Sequence, residues 1–177
     1  MVNDQQVILV DENDNPLGSI GKLDAHRQGL KHRAFSVFIF NAKGQLLLQR
    51  RALNKYHSPG LWSNACCSHP LPDEQTQLAA QRRLKEELGF TTALTKAFDF
   101  SYKVSFTNGL FENEFDHVYI GEYNGKISPN PDEVSDYSFR SVQEIRAALE
   151  SEPASFTEWF RIAFPKIELW LEENKIQ

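Results

Sequence analysis

Cys67 and His69 lie in the run Trp62-Ser63-Asn64-Ala65-Cys66-Cys67-Ser68-His69-Pro70, directly ahead of an acid-rich segment, and the pair Glu112-Asn113-Glu114 follows farther along the chain. A thiol, an imidazole and paired carboxylates are side chains that move protons or hold metals, so this loop is where chemistry is expected. Glu112 and Glu114 are two apart, so on an extended strand they project to the same face and can close on one ion.

The frame that must position them is one ordinary globular chain. With 177 residues, 41% apolar and 24% charged, it is long enough to bury a core without staples. A net charge of -5 argues against a surface-wide attraction to nucleic acid or anionic membrane, so neither is expected as a partner. The two cysteines, Cys66 and Cys67, are neighbours and cannot cross-link distant parts of a fold, which suits a reducing compartment. Apolar runs such as Val37-Phe38-Ile39-Phe40 are too short to span a bilayer, and the start of the chain carries no basic and apolar leader. The expectation is a soluble, cytoplasmic protein.

Gln6 to Val10 reads as a strand closed by the turn-rich segment 11–18. Ala34 to Phe40 and Gln45 to Gln49 flank Asn41-Ala42-Lys43-Gly44 as a hairpin. Between Pro70 and Gly89, Leu78, Ala79, Arg82, Leu84 and Leu88 fall at helical intervals, with Asp73 as the expected cap and Gly89 as the stop. Segments 97–106 and 111–123 read as strands joined through Asn108-Gly109. Ser141-Val142-Gln143-Glu144 is a capping box, and Phe156 to Glu173 carries an apolar helical stripe that Pro165 should kink or divide. No linker, repeat or low-complexity segment asks for a second domain. The predicted architecture is a single α/β domain over 1–177, with a mixed sheet sandwiched by helices.

Glu74, Arg82, Glu86, Glu87 and Gly89 stand at the spacing E-x7-R-x3-E-E-x-G, which resembles the Nudix box, a loop-helix-loop motif that binds a metal and a diphosphate. Arg83 and Glu87 are four apart on one helical face, so a cation and a metal-binding carboxylate can address one anionic ligand. A hydrolytic box has Gly and Glu where this chain has Ser68 and Arg83. A guanidinium in place of a carboxylate works against the cluster of divalent ions that hydrolysis requires.

Beside that box, Leu61 to Leu71 and Phe111-Glu112-Asn113-Glu114 resemble the two active-site signatures of type I isopentenyl-diphosphate isomerase, a Nudix-fold family. The resemblance runs from about Lys22 to Trp159. It takes in Ala25-His26, Leu30-Lys31-His32-Arg33-Ala34-Phe35-Ser36, Gln49-Arg50-Arg51-Ala52 and Gln81-Arg82-Arg83-Leu84. It implies a catalytic core of about 22–160 and a reversible 1,3-allylic proton shift that converts isopentenyl diphosphate to dimethylallyl diphosphate. By the same resemblance Cys67 and Glu114 are the acid/base groups on opposite faces of the alkene, and Tyr102 bonds to that glutamate. His26, His32, His69, Glu112 and Glu114 match a five-ligand divalent metal site, and Glu87 a ligand to a substrate-linked Mg2+. Lys22, Arg51, Lys55 and Arg83 match the cations that hold the diphosphate. Trp159 matches the family's cation-facing tryptophan, and Phe35 is expected to line the hydrocarbon pocket. Asp116 and His117 match no ligand position.

The chemistry suits these residue types. Protonating an unactivated alkene needs a well-placed acid, with Glu114 or Tyr102 making the transfer. Removing a proton from C2 needs a base across the plane, for which a Cys67 thiolate would serve, its fraction raised by His69 or nearby cations. Three imidazoles and two carboxylates suit Zn, Mn or Mg better than a closed structural zinc, which prefers thiolates. Aromatic faces stabilise a developing cation and exclude water. Arg51 can grip a diphosphate bidentately while Lys22 and Lys55 act as point charges. The alternatives are a Nudix diphosphohydrolase and a non-catalytic prenyl-diphosphate binder. The chain is expected as a monomer, with a dimer as the other option.

Overall fold

The computed structural model describes residues 5–174. Its elements are β1 (Gln6–Val10), β2 (Pro16–Gly21), α1 (Lys22–Gln28), β3 (His32–Phe40), β4 (Leu46–Arg51), β5 (Trp62–Asn64), β6 (Cys66–Ser68), α2 (Thr76–Leu88), β7 (Leu94–Ser105), β8 (Phe111–Glu122), β9 (Val134–Arg140), α3 (Val142–Ser151) and α4 (Glu158–Glu173), with a 3-10 turn at Pro153–Ser155 before α4. The strands form one mixed sheet in which β3 and β8 run parallel and the other pairs are antiparallel.

β3 organises this sheet because its two faces are both buried. Phe35, Val37 and Ile39 point to one side, where they pack with Ala79, Ala80, Leu84 and Leu88 of α2. Phe38 points to the other, where it packs with Leu46, Leu48 and Val118 against Phe160, Ala163, Phe164 and Ile167 of α4. Two-residue alternation on the strand and the helical stripe on α4 therefore generate a sheet sandwiched by helices, as the residue pattern implies. Among the described residues no helix is long and apolar enough to cross a membrane.

Several local readings hold. Asn108-Gly109 turns between β7 and β8 with Gly109 at φ 79°. The capping box is complete: Ser141 N–H donates to Glu144 Oε2 (2.7 Å), and Glu144 N–H donates to Ser141 Oγ (3.2 Å). Gly89 ends α2 at φ 78°, where a Cβ would come within 2.6 Å of the Ser128 carbonyl, so this last position of the box has a steric reason to be glycine.

Others are corrected. The β3–β4 connection is a hairpin only at its turn, with Phe40 opposite Leu46; β3 then pairs along its length with β8 and β6, and β4 with β9 and β5. Asp73 does not cap α2. It sits at φ 66° in a turn closed by Glu74, whose side chain accepts from Leu71 N–H (2.9 Å), and the N-cap is Gln75 without a side-chain bond. Pro165 does not divide α4, which continues to Glu173 because its apolar face stays packed on the sheet. His117 and Asp116, unassigned from sequence, diverge: His117 Nε2 lies 2.8 Å from Asp14 Oδ2, which pins the β1–β2 turn, and Asp116 points inward.

Candidate active site

Strand register brings the chemistry together. His32, Glu114 and Tyr102 are direct cross-strand neighbours on β3, β8 and β7, so one row of the sheet carries an imidazole, a carboxylate and a phenol. Cys67 on β6 pairs with Ser36, which stands on the same face of β3 as His32. β3 thus lies between the strands carrying Cys67 and Glu114, and both line one cavity of about 790 Å³.

At one end of this cavity His26, His32, His69 and Glu114, all buried, place one ligand atom each within 4.8 Å of one another. His32 Nδ1 is 2.8 Å from the Leu30 carbonyl, so Nδ1 carries the proton and the Nε2 lone pair faces inward, 3.2 Å from His69 Nε2. His26 Nε2 is buried with no hydrogen-bond partner, while its Nδ1 meets Tyr56 Oη at 3.2 Å. Burial, then the neighbouring His69, holds His26 down at about 3 against the opposing pull of Glu114. Burial likewise depresses His69, to about 4. Inward-facing imidazole nitrogens beside a carboxylate fit a divalent cation. Glu112, the fifth expected ligand, stands beside the four. Its Oε2 accepts from Tyr102 (3.0 Å), Oε1 lies 3.9 Å from His57 Nε2, and burial followed by the charge of Glu114 pushes it well above the usual carboxylate range. The Tyr102 hydroxyl also donates to Glu114 Oε2 (2.8 Å).

Cys67 faces the cavity in a different setting. Its Sγ donates to Asn64 Oδ1 (3.0 Å) and lies 3.4 Å from Ser36 Oγ, which itself donates to Asp116 Oδ2 (2.6 Å). Burial, then the charge of Asp116, pushes the thiol up, so the expectation that His69 or nearby cations enrich the thiolate is corrected. Among the described residues its hydrogen bonds go to neutral oxygen groups. Cys66, one residue earlier, points through the sheet into the apolar layer under α2.

The other end is cationic. Lys22, Arg51, Lys55 and Arg83 line the cavity with Gln49 and Glu87. Burial, then the charge of Arg51, lowers Lys22 to about 8. Nε of Arg51 and Nε of Arg83 are buried without partners, as donors awaiting an anion would be. Glu87 accepts from Gln49 Nε2 (2.8 Å) and Arg83 Nη2 (2.8 Å), while Arg82 turns away to grip Glu74 with Nε (2.7 Å) and Nη2 (2.8 Å). The arginine of the box therefore braces the loop, and its neighbour serves the cavity. Trp159 is fixed over the site by Nε1–H donating to Ser63 Oγ (2.8 Å), and its ring centroid is 5.1 Å from the Arg51 guanidinium carbon.

Two expected site residues are absent from the lining: His32, fully buried behind His69, and Phe35. Phe35 points into the layer beneath α2, because it has the opposite parity on β3 to His32 and Ser36. Residues missed from sequence include Tyr56, His57 and Glu133 in the lining, together with Ser63, also in the lining, and Asn64 behind it. The polar pair Ser63-Asn64 beside the thiol was the available signal for the last two.

A family model described as NUDIX domain matches residues 30–160. An isopentenyl-diphosphate Delta-isomerase of Pectobacterium atrosepticum is 51% identical over 162 residues, covering 92% of this chain and 90% of that protein. Isopentenyl-diphosphate Delta-isomerase 1 of Aromatoleum aromaticum is 48% identical over 172 residues, covering 97% of each. Among solved structures, DR0079 of Deinococcus radiodurans superposes with a TM-score of 0.76 at 19% identity over 92% of this chain and 98% of that one. The MutT protein of Methanosarcina mazei Go1 gives 0.66 at 24% identity over 82% and 96%. These two likenesses show the fold alone. By the domain match and the near full-length relatives, the chain belongs to the NUDIX domain family and, within it, to the isopentenyl-diphosphate Delta-isomerase family.

Proposed function

We propose that this enzyme interconverts isopentenyl diphosphate and dimethylallyl diphosphate, with Cys67 and Glu114 as its acid/base pair. The observation that carries the reading is one cavity with a thiol and a tyrosine-bonded carboxylate approaching from opposite sides of β3, and cations at its far end. In the forward direction the C3=C4 electron pair takes a proton from the Glu114–Tyr102 pair at C4, leaving positive charge at C3. The C2–H pair then becomes the C2=C3 bond as Cys67 accepts that proton. The burial that disfavours a thiolate also makes it a strong base once formed, and the neutral thiol is the state from which the reverse reaction starts.

Trp159 in the cavity wall stabilises the positive carbon and helps to exclude water from it. Lys22, Arg51, Lys55 and Arg83 hold the diphosphate, which turns binding at the tail into orientation at the reacting carbons. His26, His32, His69, Glu112 and Glu114 would hold one divalent ion, Mn2+, Zn2+ or Mg2+, and Glu87 a substrate-linked Mg2+. When bound, such ions supply fixed positive charge that orients the carboxylate and neutralises phosphate oxygens. All these groups lie between residues 22 and 160 of one chain, which supports a catalytic core of that extent and a monomer as the working unit. Free thiols at 66 and 67 suit the reducing cytoplasm.

The test is incubation with isopentenyl diphosphate, Mg2+ and Mn2+ in heavy water, followed by NMR. Deuterated dimethylallyl diphosphate is the expected product. Free phosphate would mark a hydrolase, and unchanged substrate a binder.

A further inference from the structure

The four cations of the cavity are not equivalent. Among the described residues no carboxylate lies within ion-pair distance of Lys22 or Arg51, whereas both Lys55 and Arg83 are engaged by Glu133, a residue no expectation assigned. Lys55 Nζ bonds to Glu133 Oε2, and Arg83 Nη2 lies 3.4 Å from Glu133 Oε1 while also donating to Glu87. One carboxylate thus spends each oxygen on a separate phosphate-directed cation, inside the lining of the cavity.

Backbone bonds hold it there. Ala52 N–H donates to the Glu133 carbonyl (3.0 Å), Glu133 N–H to the Asn130 carbonyl (3.0 Å), and Asn130 N–H to the Glu87 carbonyl (2.8 Å). The segment is therefore tied both to the end of β4, from which the Lys55 turn departs, and to α2, which carries Arg83 and Glu87. These bonds fix the Glu133 backbone at the cavity and the two ion pairs hold its carboxylate, so an incoming diphosphate meets it in place.

Resting on the diphosphate reading above, we propose that Glu133 sets the charge of this end of the cavity, so that it takes a diphosphate already complexed with Mg2+ and discriminates against the free polyanion. The physical argument is a balance of charge. Four cations facing an uncomplexed diphosphate would bind it tightly with no call for a metal. With Glu133 and Glu87 together offsetting Lys55 and Arg83, the oxygens left unneutralised by Lys22 and Arg51 need a divalent ion, and a Mg2+ complex, carrying two fewer negative charges, meets less repulsion from the two carboxylates. Substrate is then admitted together with the ion that Glu87 receives. Product and inorganic phosphates without the ion are held weakly.

The test is calorimetric titration of the full-length, metal-loaded protein with inorganic pyrophosphate, with and without Mg2+, for wild type, Glu133→Gln and Glu133→Asp. Wild type should bind the Mg2+ complex more tightly than free pyrophosphate. Glu133→Gln should bind free pyrophosphate about tenfold more tightly than wild type and so lose most of that preference, while Glu133→Asp, which keeps the charge, should retain it. The proposal is overturned if Glu133→Gln binds free pyrophosphate no better than wild type, or if wild type shows no preference for the complex. Should Glu133→Gln fail to fold, as checked by circular dichroism, the wild-type and Glu133→Asp preferences decide. Wild type that binds pyrophosphate in neither condition would instead remove the diphosphate reading itself.

Discussion

The two ends of the cavity are built on opposite principles. At the metal end, His32 and Glu114 are buried and Tyr102 is half-buried in one cross-strand row, where Tyr102 bonds to Glu114. At the diphosphate end, Lys22, Arg51, Lys55 and Arg83 are long side chains from a helix start, a strand end, a turn and α2, and two of them are aimed by ion pairs to Glu133 and Glu87. The difference teaches a division of labour. Proton transfer needs fixed distances, which strands provide, while anchoring a polyanion needs charge that can follow the ligand, which flexible cations provide.

Breaking the rigid end should separate the two roles. Glu114→Gln removes the proposed acid/base group and a carboxylate from the histidine cluster, so isomerisation should fall by about 10²–10⁴. Binding of Mg2+-pyrophosphate, measured by calorimetry, should stay close to wild type. A matching loss of pyrophosphate affinity would erase the distinction between the ends.

Sharpening the flexible end yields a smaller, pH-dependent effect. Burial places Lys22 at about 8 in the free protein. Because the bound anion favours the protonated amine, affinity for Mg2+-pyrophosphate should decline as pH rises through 8, by up to roughly tenfold per pH unit for one proton linked to binding. Lys22→Arg, charged throughout, should lack that component when titrated side by side. Parallel curves for the two proteins would remove Lys22 from the anion site.

The same contrast explains what could be read from the chain alone. Glu112 and Glu114 were legible because period-two spacing has one geometric meaning on a strand, and Gly89 because a helix stop at positive φ has few other solutions. Phe35 was misplaced because a motif names neighbours without naming the face each one takes, and alternation sends it beneath α2 while Ser36 enters the cavity. Helix α1, the short strands β5 and β6, and β9 are held mainly by partners distant in sequence. β9, for example, is fixed by its pairing with β4, and its own pattern carries little signal. Glu133 lies in a turn whose acidic residues look like solvated surface until Lys55 and Arg83 arrive from elsewhere in the fold. The thiol's protonation differs from expectation for a related reason: His69 is near Cys67 in sequence, but its ring meets Glu114 (3.0 Å) while the sulfur takes Ser36 and Asn64 as partners.

The central claim is that the sulfur of Cys67 and the carboxylate of Glu114 act on opposite sides of one bound alkene. Cys67→Ala, followed by NMR in heavy water with isopentenyl diphosphate, tests it most directly, with metal content and Mg2+-pyrophosphate affinity measured on the same sample. Isomerisation should drop by about 10² or more, with metal and pyrophosphate binding retained. Dimethylallyl diphosphate formed at near wild-type rate by this variant would contradict it.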